Sequence, residues 1–138
     1  MTINTYVHFN GNCEEALNFY AKALGMKIAF MLRYSEAPAG NECGKELGAK
    51  IMHGRIVSGN NVIMASDCPP DRYEKPAGFG ISVNVETPAE ADKYFSALSD
   101  KATIVMPIGE TFWAQRFGML VDKFGVPWMV NCEKAAGM

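Results

Sequence analysis

His53 and Arg55 stand two residues apart in the β-rich run at 50–57. Successive side chains of a strand point to opposite sides, so these two project from one face while Met52, Gly54 and Ile56 take the other. An imidazole and a guanidinium projecting together could bind an anionic or enolic substrate, with His53 as general base near neutral pH and Arg55 stabilising an enolate. The same pair could instead sit at a sheet edge or a dimer contact and do no chemistry. Glu110, Trp113, Gln115 and Arg116 form a second group, in which Trp113 offers a flat surface to a planar ligand. The cysteines, Cys13, Cys43, Cys68 and Cys132, never approach the C-x-x-C spacing that zinc and redox sites favour, and they read as reduced thiols with no shared role. Asp67, Asp122 and Asn131 end or flank strands, where Asp and Asn close turns by bonding nearby amides, and no chemistry is assigned to them.

The elements that must position these groups occur twice. From Glu15 the chain reads Glu-Ala-x-x-Phe-Tyr-x-x-Ala-Leu, and from Glu90 it reads Glu-Ala-x-x-Tyr-Phe-x-Ala-Leu. Self-similarity of this kind fixes the architecture before any single residue does. Ala16, Phe19, Tyr20, Ala23 and Leu24 fall at spacings of three and four, as do Ala91, Tyr94, Phe95 and Leu98, so each helix has one apolar face to lay on a sheet. The paired aromatics therefore belong to the core. Thr87-Pro88-Ala89-Glu90 is a capping box, and Asn12-Cys13-Glu14-Glu15 reads as the same device with Asn12 as cap. Gly25 suits a left-handed C-cap.

A short strand precedes each helix, at 6–9 and 81–85, and three follow: 27–34, 50–57 and 61–66 in the first half, 103–106, 112–121 and 126–132 in the second. Ser58-Gly59-Asn60-Asn61 and Asp122-Lys123-Phe124-Gly125 are the closing turns. The sequence thus predicts one α+β domain over residues 1–138, with a βαβββ module at about 1–68, a turn-rich connector at about 67–78 and a second βαβββ module at about 79–134. Residues 35–49, with Gly40, Gly44 and Gly48, form a long loop that reads either as a lid or as an inert insertion.

The bulk numbers exclude several classes of function. With 13 basic and 15 acidic residues, a net charge of −2 and no local Lys/Arg cluster, the chain has no field for a phosphate backbone, and nucleic acid is not expected as a partner. No run approaches the length of a membrane span and the first ten residues lack a signal-peptide pattern, so no membrane partner and a cytoplasmic location are expected. An apolar share of 49% is enough for one ordinary core without disulfide support.

Two βαβββ modules, Asn10-Gly11-Asn12 before the first helix, Phe19-Tyr20 within it, and a closing Asp122-x-Phe124-Gly125-x-x-Trp128 resemble the vicinal oxygen chelate superfamily of glyoxalase I, extradiol dioxygenases and bleomycin-resistance proteins. The segments Phe9-Asn10-Gly11-Asn12-Cys13-Glu14-Glu15-Ala16-Leu17 and Trp113-Ala114-Gln115-Arg116-Phe117-Gly118 through Trp128 are similar to the PhnB-like branch. The resemblance implies curved mixed sheets around a cavity, a homodimer and, in glyoxalase-type members, a metal held by His or Glu from each of four strands.

Laid along this chain, those four positions fall on Thr5, Met64, about Gly80 and Met129, which are not ligands for such a cation. The resemblance therefore implies no metal and no cofactor. If Thr5, Val7 and Phe9 face the cavity, His8 faces the helix layer and cannot converge with His53. Glu110, Trp113, Gln115 and Arg116 would line the same cavity, and Trp128 would pack under the second helix.

Two functions stay open. One is a small-molecule binder in the manner of the bleomycin-resistance proteins, taking a planar or anionic ligand against Thr5, Phe9, Met64, Trp113 and Met129, with methionine adapting to ligand shape. The other is an enzyme of lyase, isomerase or dioxygenase type, using His53 as base with Arg55, or a rearranged metal site. The branch has also carried an inherited name of 3-demethylubiquinone 3-methyltransferase. No Gly-rich turn between a parallel strand and a helix, followed by an acidic residue, supports that name here.

Overall fold

The computed structural model describes residues 1–37 and 47–134. Cys43, Gly40 and Gly44, and with them most of the loop expected at 35–49, lie outside the described residues. The chain divides into two compact units, Met1–Glu74 and Lys75–Met138. The fold is α+β, each unit running strand, helix, three strands as the repeat required.

The first unit contains β1 (Thr5–Phe9), α1 (Cys13–Leu24), β2 (Lys27–Arg33), β3 (Ile51–Ser58) and β4 (Asn61–Asp67). Its sheet has the order β1-β4-β3-β2, with β1 parallel to β4 and the other neighbours antiparallel. The second unit repeats this with β5 (Ile81–Asn84), α2 (Pro88–Leu98), β6 (Thr103–Gly109), β7 (Ala114–Val121) and β8 (Pro127–Glu133), in the order β5-β8-β7-β6. Neither sheet closes on itself; β2 and β6 are edges.

In both units one glycine sets how closely the helix approaches the sheet. A Cβ built on Gly54 of β3 would lie 2.6 Å from Leu17 Cδ1 of α1, and one built on Gly118 of β7 would lie 2.6 Å from Phe95 Cε2 of α2 and 3.0 Å from the Ile108 Cα. Both distances are inside van der Waals contact, so only glycine leaves room for the helix side chain above it. Ala16, Leu17 and Tyr20 of α1, and Ala91, Phe95 and Leu98 of α2, are buried on the helix faces that the spacing predicted.

Of the three helix ends expected from the sequence, two are found. Thr87 Oγ1 accepts the Glu90 amide at 3.2 Å with Pro88 in the first turn, and Gly25 closes α1 at φ 67°. Asn12, however, makes no side-chain cap. The carboxylate of Asp67, at the end of β4, instead reaches the first amide of the helix and its neighbours. Its Oδ1 accepts the amides of Gly11 and Cys13 at 2.9 Å each, and its Oδ2 accepts the amide of Ile51 at 2.9 Å. Asp67 is buried, and the negative charge meets both the free amides and the positive end of the helix.

Asp122 plays a matching part beside β8. Its Oδ1 accepts Phe124 N at 2.8 Å and Val126 N at 3.0 Å, while Oδ2 accepts Trp128 Nε1 at 2.8 Å. Asp122 thus closes its turn as expected, whereas Asp67 serves amides far along the chain, and Trp128 is fixed in the core of its unit. Beyond β2, the Tyr34 amide donates to Lys50 O at 3.0 Å and the Ser35 amide to Gly48 O at 2.9 Å, so the chain returns to β3 from a closed base.

Candidate functional site on the open face of the first sheet

Strand register decides which side chains share the face that α1 leaves uncovered. Tyr6 of β1 stands opposite Met64 of β4, Met64 opposite Arg55 of β3, and Arg55 opposite Phe30 of β2. One row therefore crosses all four strands. In the next row His8 stands opposite Ser66, and His53 follows one step beyond the Gly54–Ala65 pair. Because Gly54 faces Leu17 of the helix, Arg55 and His53 must face away from it.

The rows are bound together by short contacts. The Tyr6 hydroxyl lies 3.1 Å from His53 Nδ1, and the two rings stack at 5.6 Å with 25° between their planes. Phe30 approaches the other flank of the imidazole at 5.3 Å. The Arg55 guanidinium lies 5.6 Å from the Phe30 ring centroid, and its Nη2 donates to Met64 Sδ at 3.5 Å. Arg55 Nε is shielded from water and meets no hydrogen-bond acceptor among the described residues. His8 completes the group, 5.0 Å from the Tyr6 ring and with Nδ1 3.4 Å from Ser66 Oγ. Tyr6 and Phe30 remain 39% and 42% exposed, so two aromatic rings and an imidazole offer flat surface to a ligand beside a cation.

This arrangement corrects the parity expected for β1. Val7 and Phe9 are buried on the helix side, with Phe9 only 1% exposed and its ring 6.4 Å from that of Tyr20. Thr5 shares their side by alternation. Phe9 therefore lies in the core, not on a ligand-facing surface, and His8 faces the same way as His53. The reason is simple: a strand covered on one side by a helix turns its apolar positions toward that helix.

Of the other residues singled out in the sequence, Met64 lies on the open face between Tyr6 and Arg55. Met129, in the second unit, stands opposite Ser82 and Met119 on the side away from α2, and Gly80 adjoins it, since a Cβ there would be 3.3 Å from Met129 Cε. Trp113, 44% exposed, precedes β7 and rests edge-on against Phe112 at 4.8 Å and Phe117 at 5.4 Å.

Three expectations for the second unit change. Arg116 pairs with Asp92 of α2 at 3.4 Å, because alternation along β7 puts it on the same side as Gly118, which faces the helix. Glu110 pairs with Lys134 at 3.5 Å. Asn131 closes no turn. It lies within β8 opposite Asn84, to whose Oδ1 it donates at 3.3 Å, while its own Oδ1 is buried without a partner among the described residues. Tyr6, Phe30 and Ser66 were not singled out from the sequence. The alternation of Tyr6 and His8 with Val7 and Phe9 was the available signal for Tyr6.

The thiols are poorly placed for nucleophilic chemistry. Burial pushes the Cys13 thiol far above its ordinary range, and the charges of Asp67 and Glu14 push the same way. Burial also raises Cys68, aided by Asp67 and Asp71 against the opposing hydrogen bond of its own backbone. Neither is held as a thiolate, the form that attacks electrophiles.

The protein-family model for the Glyoxalase/Bleomycin resistance protein/Dioxygenase superfamily matches residues 2–130. The chain belongs to that superfamily. Protein YjdN of Escherichia coli (strain K12) is 31% identical over 142 residues, covering 97% of each chain. Among solved structures, protein PA1353 from Pseudomonas aeruginosa is 44% identical, with TM-score 0.88 over 98% of this chain and 99% of that one. A putative 3-demethylubiquinone-9 3-methyltransferase, PhnB protein, from Bacillus cereus is 28% identical, with TM-score 0.77 over 96% and 99%. The PhnB-like likeness read from the two signature segments is thereby found again in whole-chain comparison.

The glyoxalase-type metal of this superfamily does not fit the residues present. Thr5 is turned to the helix side, Met64 and Met129 offer thioethers, and Gly80 offers no side chain. Among the described residues no group of three or more His, Cys, Asp or Glu could hold a metal ion. His8 and His53 share a face, but Nδ1 of each is already directed at a hydroxyl, and no carboxylate joins them. No step through a metal follows from this donor set.

Proposed function

We propose that this superfamily member binds a small planar or anionic molecule on the open face of its first sheet, without the metal used by glyoxalase-type members. The observation that carries the reading is the cluster of Tyr6, His53, Phe30 and Arg55, in which a guanidinium with an unsatisfied, shielded N–H lies beside exposed aromatic surface. Flat apolar walls with a few placed polar groups are what small-molecule sites generally present. Met64 adds an adaptable side chain on the same face. Trp113 and Met129 are proposed as ligand-facing residues of the second unit.

The enzymatic alternative keeps one specific support: the Tyr6 hydroxyl orients the His53 ring, as a base must be oriented by a third group. A phenol donates readily and an imidazole nitrogen accepts readily, so we read the bond as running from Tyr6 to Nδ1. That leaves Nε2 carrying the hydrogen, as a donor to an anion rather than as a base. The tautomer favours binding over proton abstraction, and ranks the enzyme second.

The family's habit of pairing modules supports a homodimer, and the widely spaced cysteines support a reducing, cytoplasmic setting. No helix among the described residues is long and apolar enough to cross a membrane.

The test is metal content of untagged protein by elemental mass spectrometry, as purified and after stripping and re-addition of Zn, Ni, Mn and Fe, followed by thermal-shift screening of planar acids and neutral planar compounds. The expected result is no stoichiometric metal, and stabilisation by ligands that disappears in Tyr6→Ala and Arg55→Ala. One metal per chain, abolished by His53→Ala, would overturn the reading in favour of the enzyme.

A further inference from the structure

We infer that the Nε/Nη2 edge of Arg55 is a carboxylate fork, entered by displacing the thioether of Met64. The inference rests on the reading of the open face as a ligand site and names the chemical class that the site takes. Its basis is an imbalance between donor and acceptor. Arg55 Nη2 donates to Met64 Sδ at 3.5 Å, and Nε has no acceptor among the described residues although it is shielded from water. A thioether is a weak acceptor for one of the strongest donors a protein has. Nε and Nη2 lie along one edge of the planar guanidinium and present two parallel N–H groups, which match the two oxygens of a carboxylate and no single acceptor.

The surroundings select among carboxylates. Met64 stands between Tyr6 and Arg55 in the row across the sheet, so its departure opens a slot with the Tyr6 ring on one side and, on the other, the guanidinium that lies over Phe30. A planar acid fills that slot with its ring beside Tyr6 and its carboxylate in the fork. The unbranched methionine side chain has the rotamer freedom to leave. His53, its Nδ1 3.1 Å from the Tyr6 hydroxyl, stands on the same face.

Protein carrying ¹³C-methyl methionine is titrated with benzoate and, separately, with benzamide, the neutral compound of the same shape. The expected result is saturable binding of benzoate that moves the Met64 methyl resonance, with benzamide at least about 10-fold weaker. Arg55→Lys, which keeps the charge and loses the fork, should weaken benzoate by a similar factor while leaving the remaining methionine resonances in place. Met64→Leu, which offers the fork no acceptor, should bind benzoate as tightly as the parent or more tightly. Equal binding of benzoate and benzamide, with the Met64 methyl moving in both, would leave the open-face site standing and overturn the carboxylate fork. Unchanged benzoate affinity in Arg55→Lys would overturn it too. No movement of Met64 with either compound at millimolar concentration would overturn the fork and the site together.

Discussion

The hydroxyl of Tyr6 and Nδ1 of His53 lie 3.1 Å apart, joining residues of β1 and β3 across the intervening β4. With the phenol as donor, Nδ1 accepts and Nε2 carries the hydrogen of the neutral ring. Long-range ¹H–¹⁵N correlation spectra should therefore show His53 in the Nε2–H tautomer when neutral, and Tyr6→Phe should return it toward a mixture. The bond is partly solvated, so the same substitution should cost no more than about 1 kcal/mol of stability in urea titration. A dominant Nδ1–H tautomer in the parent would restore His53 as a base.

Asp67 is a larger stake. Asp67→Ala would leave the amides of Gly11, Cys13 and Ile51 without their carboxylate, in a place water does not reach. Hydrogen bonds to charged groups contribute about 1.5–3 kcal/mol each, with incomplete additivity. A loss of about 3 kcal/mol or more is expected in denaturant unfolding, against a much smaller loss for Asn12→Ala, whose side chain caps nothing.

Gly54→Ala and Gly118→Ala should both destabilise, by about 1–3 kcal/mol, as overpacked sites do. Gly118→Ala should be the worse of the two. The Cβ at position 54 meets the end of a Leu side chain that can swing, whereas at position 118 it also meets the Ile108 Cα at 3.0 Å, and backbone yields less readily. Paired thermal melts would rank them.

Alkaline pH should weaken the fold through Cys13. Its folded thiol is held protonated well above the ordinary value of 9.0, while the unfolded thiol ionises near that value. The unfolded state therefore releases a proton that the folded state keeps. The Cys13 contribution is fully present below pH 9.0 and is lost as pH climbs above it, at up to about 1.4 kcal/mol per pH unit. Cys13→Ala should flatten that slope in unfolding measured between pH 8 and pH 10, values chosen to straddle about one thiol titration.

Much of the fold was legible because its signals are local. The two Glu-Ala helices, the Thr87 cap, the Gly25 terminus and the Gly59 and Gly125 turns each depend on residues a few positions apart. What escaped depends on distant partners. Asn12 has the right chemistry for a cap but makes none, and the first amide of the helix, that of Cys13, is met by Asp67 from 54 residues away. Arg116 lies on the helix side of β7, in step with Gly118, but that side is known only once Gly118 is seen against Phe95.

The parity of β1 failed for a different reason. The metal positions of relatives orient the strand one way, and its own alternation, Tyr6 and His8 against Val7 and Phe9, the other. Once the helix side is assigned to Val7 and Phe9, His8 and Tyr6 fall on the opposite face, and the register of β4 and β3 brings His53 and Arg55 to it.

The hydrogen bonds from Tyr34 to Lys50 and from Ser35 to Gly48 insulate the pairing of β2 with β3 from whatever chain length separates them. The entropy of closing a loop grows only logarithmically, about 0.6 kcal/mol for each doubling. A change in chain length between the ends that these two bonds join should therefore leave His53 and Arg55 in their places on β3.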